Sequence, residues 1–309
     1  YRIDTNISDK SDVQHYANHS FFIIVKSIDP PSQQQHPRGW NSDRSHQRKL
    51  RSYQVESHWY QQWASRCTPQ SRAPHCFGVM DVSESHQCIL LEDLDSNGFD
   101  QRHDELTADQ CVPCLRWLAN FHAIFLRQND DSPWTQQLWP QGSYWHLATR
   151  PDEWQAMAQS PLKRAAAHID SELENSQFTT LIHGDAKVAN FCFSADGQNV
   201  AAVDFQYVGA GCGIKDIVYF LGSCLSEKDC ERHHSRLLDL YFLELSEALT
   251  RLQSDIDLKE LERDWRLRYP LAWADFQRFI IGWAPNHKKN HRFAQAMTQL
   301  ALDQLTNHQ

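Results

Sequence analysis

Apolar positions change their rhythm about a third of the way along the chain. In the N-terminal part they come as short unbroken runs, of which Phe21-Phe22-Ile23-Ile24-Val25 is the strongest. Such a run, rich in aromatic and β-branched residues, has the length and character of a buried strand. Strands are predicted at Tyr1-Arg2-Ile3 and Ser20–Ile28, and a strand pair at Phe77–Val82 and Gln87–Leu91. Between them Leu50, Tyr53, Trp59, Tyr60 and Trp63 recur at the steps of one helix face, which predicts a helix over Ser45–Arg66. Residues 29–41 are polar and interrupted by Pro30, Pro31 and Pro37, the mark of a loop.

From about Leu106 the apolar spacing lengthens to that of helices. Leu106–Arg127 carries Leu115, Leu118, Ala119 and His122 on one face, and Pro161–Ser176 is a second amphipathic stretch. A strand-rich island over 180–205 interrupts the helices. Ile214–Leu225 then opens a helical block that runs to the end, with breaks predicted near Asp255 and at Pro270 and Pro285. The turn cluster Asp95-Ser96-Asn97-Gly98 separates the two parts.

Composition narrows the classes. Hydrophobic residues make up 41% and charged residues 22%, which suits a folded chain with a real core rather than a disordered one. Lys and Arg total 30 against 39 Asp and Glu, a net charge of −9, so neither nucleic acid nor an anionic membrane is expected as a partner. No stretch reaches the ~18 apolar residues of a membrane-spanning helix. No charged segment followed by an apolar one opens the chain, so no secretory signal is expected. The nine cysteines are odd in number and scattered, which reads as reduced thiols of a cytoplasmic protein. Cys111 and Cys114 lack a second pair at zinc-site spacing and read as ordinary helix cysteines.

Candidate chemistry is concentrated in one segment. Leu181-Ile182-His183-Gly184-Asp185-Ala186-Lys187-Val188-Ala189-Asn190 leads into Phe191-Cys192-Phe193. An Asp196-Gly197 turn follows, then Val200-Ala201-Ala202-Val203 and Asp204-Phe205-Gln206. Two apolar runs about an Asp-Gly turn predict a β-hairpin. That hairpin brings Asp185, Asn190 and Asp204 to one end of a small sheet. Two carboxylates and an amide oxygen are hard donors that suit Mg²⁺ beside phosphate groups. The order His-x-Asp, four residues, Asn, a strand and Asp-Phe is also that of a kinase catalytic segment.

Through these residues the chain resembles small-molecule kinases of the aminoglycoside phosphotransferase/choline kinase group. It is most similar to their ecdysteroid-kinase-like (CHK kinase-like) branch. That branch shows His-Gly-Asp…Asn, then Asp-Phe-Gln and a nearby Asp, here His183-Gly184-Asp185…Asn190, Asp204-Phe205-Gln206 and Asp216. The resemblance implies an α+β, bilobal protein-kinase-like fold. Its nucleotide-binding lobe would span 1–92, its hinge 93–98 and its helical lobe 99–309. It implies ATP and Mg²⁺ as cofactors, and transfer of the γ-phosphoryl group to a hydroxyl of a choline-like, aminoglycoside-like or sterol-like small molecule. Asp185 would be the base, and Lys187 would lie near the transferring phosphate. Asn190 and Asp204 would hold Mg²⁺, with His183 and Asp216 supporting the catalytic loop. Lys26 ends the Phe21–Val25 run and Glu56 lies mid-helix, as a pair that would set Lys26 against the α/β-phosphates should. Glu92 and Leu94 fall where the hinge would bind adenine through backbone groups. A nucleotide-binding pseudokinase with a scaffold role is the alternative.

Several features depart from the protein-kinase pattern. Gly184 stands where His-Arg-Asp has Arg, Gln206 follows Phe205 and no Ala-Pro-Glu is present, which argues against a protein kinase. No glycine precedes Gly39, so a Gly-containing loop over the phosphates is expected ahead of Tyr1. Gly209-Ala210-Gly211-Cys212-Gly213 lacks a phosphate-loop register and reads as a flexible remnant of an activation segment. The basic cluster Arg38, Arg44, Arg48, Lys49 and Arg51 either reaches a phosphate or, as such clusters more often do, forms a solvated helix face. Trp265, Tyr269, Trp273, Phe276 and Trp283 form a helical stripe, either packed core or, with Asp275, a wall for a cationic or steroid-like acceptor.

Overall fold

The computed structural model describes residues 2–5, 21–28, 43–83, 86–128 and 136–307. Tyr1, the loop predicted over 29–41 and Arg38 lie outside the described residues. Strands β1 (Arg2–Thr5), β2 (Phe21–Ile28), β3 (Cys76–Asp81) and β4 (Gln87–Glu92) form one antiparallel sheet in the order β1-β2-β4-β3. Lys26 in β2 lies opposite Ile89 in β4, whose side chain is fully buried. Helix α1 (Asp43–Gln62) follows β2 in the chain. Its Val55, Trp59 and Tyr60 are buried, but their contacts reach beyond the sheet. The Trp59 ring stacks on Phe205 at 4.7 Å and meets Phe121 and Phe125 edge-on at 5.6 and 5.8 Å. Trp59 therefore joins α1 to the helical part and to the Asp204-Phe205 segment. Removing so large a buried ring costs about 3–5 kcal/mol.

The helical part is built on α2 (Val112–Phe125), where Leu115, Trp117, Leu118, Phe121 and Phe125 are all buried. The sequence predicted this helix from Leu106, but it begins at Val112. Pro113 sits in its first turn, the one place where a missing N–H is harmless, and 106–111 form turns ahead of it. Strand β5 (Arg127–Gln128), the short helix α3 (Pro151–Ala156) and α4 (Pro161–Glu174) follow. Strand β6 (Phe178–Ile182) leads to the hairpin β7 (Phe191–Phe193) and β8 (Val200–Ala202), then to β9 (Gly209–Gly211). Helices α5 (Ile214–Cys224), α6 (Glu227–Arg251), α7 (Leu258–Trp283) and α8 (Arg292–Asn307) complete the chain. The α+β class expected from the sequence is the one observed. No helix among the described residues is long and apolar enough to cross a membrane.

Two expectations are corrected and one open alternative is decided. Helix α7 runs straight through Pro270, where a break was predicted. Proline removes one helix hydrogen bond and costs roughly 3 kcal/mol. On either side of it Trp265, Tyr269, Trp273 and Phe276 are buried, which offsets that loss. The same burial settles the aromatic stripe as core: only Trp283 stays partly open. Asp275 is not an acceptor wall either, being fully buried and paired with Arg278 at 2.7 Å and Lys215 at 3.4 Å. Finally, Gly209–Gly211 is no flexible remnant but a buried strand paired with β6, Ile182 opposite Gly209. A Cβ on Gly209 would lie 2.2 Å from the Trp139 carbonyl oxygen, so only glycine allows this approach.

Candidate active site

The segment His183–Asn190 is held from below. Strand β6 ends at Ile182, and Gly184 turns the chain with φ of 76°. A side chain at Gly184 would meet the Tyr207 carbonyl oxygen at 2.1 Å, so position 184 requires glycine twice over. Asp216, in the first turn of α5, accepts the backbone N–H of His183 at 2.6 Å and of Gly184 at 2.9 Å. Its Oδ2 also lies 3.2 Å from His122 Nε2, and His122 Nδ1 lies 2.8 Å from the Tyr241 hydroxyl. The His183 ring spans the hairpin, with Nε2 3.0 Å from the Val203 carbonyl and Nδ1 accepting the Asp185 N–H at 3.3 Å. Those contacts assign the neutral Nε2–H tautomer, and burial holds the imidazole below its usual pKa.

Asp185 projects from this platform almost wholly buried. Lys187 donates to its Oδ2 at 2.8 Å and Asn190 Nδ2 at 3.1 Å, and the same Asn190 amide donates to the Asp185 carbonyl at 2.8 Å. Oδ1 is buried with no hydrogen-bond partner. Burial pushes the Asp185 carboxyl above its usual range, and the Lys187 ammonium offsets only part of this. The Tyr219 hydroxyl lies close by, and burial together with the Asp185 charge pushes it upward. Lys289, from the α7–α8 connection, holds Nζ 5.2 Å from the Tyr219 ring centre and 5.4 Å from that of Phe276. Burial pulls its pKa down to about 8.

Asp204 leaves β8 with φ of 68°, a left-handed backbone uncommon outside glycine. Its Oδ1 lies 3.1 Å from Lys26 Nζ, which is 2.6 Å from Glu56 Oε2 and 2.8 Å from Oε1. Glu56 is buried. Burial disfavours the Lys26 charge, but Glu56 and Asp204 outweigh it and raise the pKa. Residues 26, 56 and 204, far apart in the chain, thus meet in one ion-paired cluster. Phe191 lies opposite Ala202, so Asn190 and Asp204 flank the open end of the hairpin. With one Asp204 oxygen on Lys26 and the Asn190 nitrogen on Asp185, what remains is an amide oxygen and a carboxylate oxygen. That donor set fits Mg²⁺.

Glu92 and Leu94 are placed less openly. The Glu92 carboxylate pairs with Arg72 and accepts the His75 N–H at 3.0 Å, and its own N–H goes to the His75 carbonyl at 2.8 Å. The Leu94 carbonyl accepts from Asn97 and Phe99, both at 3.0 Å, and its side chain packs with Cys192 and Ala201 of the hairpin.

A cavity of about 430 Å³ opens over Asp185, Lys187 and Asp204, and Arg48, Arg150 and Trp283 also line it. Nothing in the sequence singled out Arg150, and Arg48 belongs to the basic cluster whose role the sequence left open. The basic face of α1 is not simply solvated. Arg44 pairs with Asp152 at 3.1 Å, Arg48 donates to the Thr149 carbonyl at 3.2 Å, and Arg51 donates to the carbonyls of Gln137 and Leu138 at 3.2 and 3.1 Å. Their spacing of four and three was the available signal. It places the three on one helix face, beside the apolar face that docks on the helical part.

Comparison with known proteins follows this geometry. The model of the ecdysteroid kinase-like family matches residues 1–176 and 143–254. No curated protein sequence matches the chain. Among solved structures, a microcompartment-associated aminopropanol kinase is similar at 14% identity, with 99% of this chain and 93% of that one covered and a TM-score of 0.49. An amicoumacin kinase in complex with AMP-PNP, Ca²⁺ and Ami is similar at 10% identity, over 94% of this chain and 82% of that one, TM-score 0.45. An aminoglycoside phosphotransferase from Streptomyces rimosus, in complex with ADP and streptomycin, is similar at 14% identity over 72% of this chain and 82% of that one, TM-score 0.42. At these identities the likenesses are distant.

Proposed function

For a chain that belongs to the ecdysteroid kinase-like family, we propose that it transfers the γ-phosphoryl group of ATP to a hydroxyl of a small molecule, with Asp185 as the base. One observation carries this reading: Asp185 Oδ1 is buried and unpartnered, and its residue lines the same cavity as Asp204. Lys187 and Asn190 hold Oδ2, so the carboxylate is oriented before substrate arrives and Oδ1 is left to accept a hydroxyl. The hydroxyl oxygen bonds to the γ-phosphorus as the bond to the β–γ bridging oxygen breaks, and the hydroxyl proton passes to Oδ1. A carboxylate whose proton affinity burial has raised is the better acceptor for that proton.

The other groups bind and orient. Lys26, fixed between Glu56 and Asp204, presents its ammonium to the α/β-phosphates. Lys187 keeps a positive charge beside the transferring group. Asn190 and Asp204 would hold Mg²⁺, which when bound neutralises phosphate charge. At the hinge, Glu92 and Leu94 would offer backbone groups to adenine. All nine cysteines are free thiols, which suits a reducing compartment such as the cytoplasm.

Asp185→Asn tests the assignment, because it keeps shape and removes the base. Phosphate transfer from Mg·ATP should fall roughly 10²–10⁴-fold. Nucleotide binding, measured by titration calorimetry, should survive. Unchanged transfer would overturn the assignment.

A further inference from the structure

The charges around the cavity do not cancel evenly. Each carboxylate there already has a cation: Asp185 has Lys187 at 2.8 Å, Asp204 has Lys26 at 3.1 Å, Glu153 has Arg150 at 3.2 Å and Asp152 has Arg44 at 3.1 Å. Arg48 is left over. Its guanidinium meets only neutral oxygens, the Thr149 carbonyl at 3.2 Å and the Ser45 hydroxyl at 3.0 Å. It makes no ion pair among the described residues. A guanidinium carries five N–H donors, so most of its hydrogen-bonding capacity is unused.

The bond to Thr149 sets Arg48 directly against Arg150, the next residue. Arg150 is itself buried, with its guanidinium 3.9 Å from the Tyr144 ring centre. Burial and the neighbouring Arg150 charge both hold Arg48 below its usual pKa, yet an arginine stays protonated at neutral pH. Two like charges are thus gathered in a partly buried site, and the one carboxylate that acts on both, Glu153, is already paired with Arg150. Lys289 adds a further cation near Asp185, and it too makes no ion pair among the described residues. An ammonium acceptor would add another positive charge to this cluster. An oxyanion would relieve it and take paired N–H···O bonds from the guanidinium fork.

Resting on the phosphotransferase reading above, we propose that the acceptor is an anionic alcohol. Its carboxylate or phosphate is held by Arg48 and Arg150 while its hydroxyl reaches Asp185 Oδ1. The aromatic faces of Tyr207 and Trp283 line the same cavity and would cover the carbon skeleton.

Two measurements on the full chain test this separately from the reaction. The first is calorimetric titration, with Mg·AMP-PNP present, of glycerate, glycerol 3-phosphate, glycerol and choline. Glycerate or glycerol 3-phosphate should bind at least about tenfold more tightly than glycerol or choline, and which of the two binds distinguishes carboxylate from phosphate. Arg48→Ala and Arg48→Gln should abolish that preference with an unchanged melting temperature. Arg48→Lys should keep part of it, and Asp185→Asn should keep all of it. The second is transfer from Mg·ATP to the same compounds, where Arg48→Ala should raise KM for the anionic alcohol about tenfold and leave KM for ATP alone. Tighter binding of choline or glycerol, binding of none of the four, or an Arg48→Ala effect confined to the KM for ATP would overturn the proposal. Anion binding that depends on Arg48, without transfer to any alcohol, would instead support the anion site and overturn the phosphotransferase reading.

Discussion

The two sides of the cavity are built differently. On the side of β2 and α1, Lys26, Glu56 and Asp204 are already bound to one another, two of their contacts under 3 Å. On the other side, where the first turns of α1 meet the helical part, Asp185 Oδ1 has no partner and Arg48 of α1 touches only neutral oxygens. A cluster that satisfies itself has its geometry set before any ligand binds. Groups left unsatisfied in a buried site store a demand that the right ligand meets. The paired side therefore suits a ligand common to many kinases, and the unpaired side suits the ligand that distinguishes this one.

The largest expected effect breaks the comparison at its shared residue. Asp204→Ala should lower transfer on the order of a thousandfold and weaken Mg·ATP binding, because it would remove the proposed metal donor and one Lys26 partner together. Activity near the original would mean the paired side has no part in the reaction. Gly184→Ala comes next and strikes the platform under the unpaired side. A Cβ at φ of 76° and 2.1 Å from a carbonyl should cost about 2–4 kcal/mol in urea unfolding. Full stability would show that the segment below Asp185 is softer than its hydrogen bonds imply.

Glu56→Gln sharpens the paired side alone. Lys26 would keep Asp204, so kcat/KM for ATP should fall roughly ten- to a hundredfold, the worth of one charged hydrogen bond. Lys187→Ala probes the unpaired side by pH. With Asp185 as the proposed base, activity should fall as pH drops through its raised pKa. Lys187 opposes the upward push of burial, so removing it should move the acid limb of the kcat profile to still higher pH. A limb that moves down would contradict the contact. Arg44→Ala should do least. Arg44 is the exposed member of the arginine row, and loss of its pair with Asp152 should cost under about 1 kcal/mol.

Much of the paired side was legible in the sequence. The hairpin residues lie within a short stretch, and an Asp-Gly turn between two apolar runs leaves few ways to arrange Asp185, Asn190 and Asp204. Lys26 at a strand end and Glu56 mid-helix were legible only together with that motif. Arg48 and Arg150 were not, because they are 102 residues apart and local patterning says nothing of what a helix face will meet. The same limit applied at Pro270 and Gly209. Proline and glycine carry strong local preferences, and there buried aromatic rings and a close backbone approach outweighed them.

What the sequence alone determined was the α+β order of elements and the β7–β8 hairpin with the carboxylates that flank it. Those depend on side-chain periodicity and turn chemistry, which act over a few residues. Only the tertiary structure decided that the basic face of α1 turns toward the helical part. There it ties α1 to residues 137–152 and sets the Arg48 guanidinium on the cavity that Asp185 also lines. The reason is that burial of Trp59 against Phe205, Phe121 and Phe125 sets the rotation of α1, and a helix that buries one face has no choice about where its neighbouring face points.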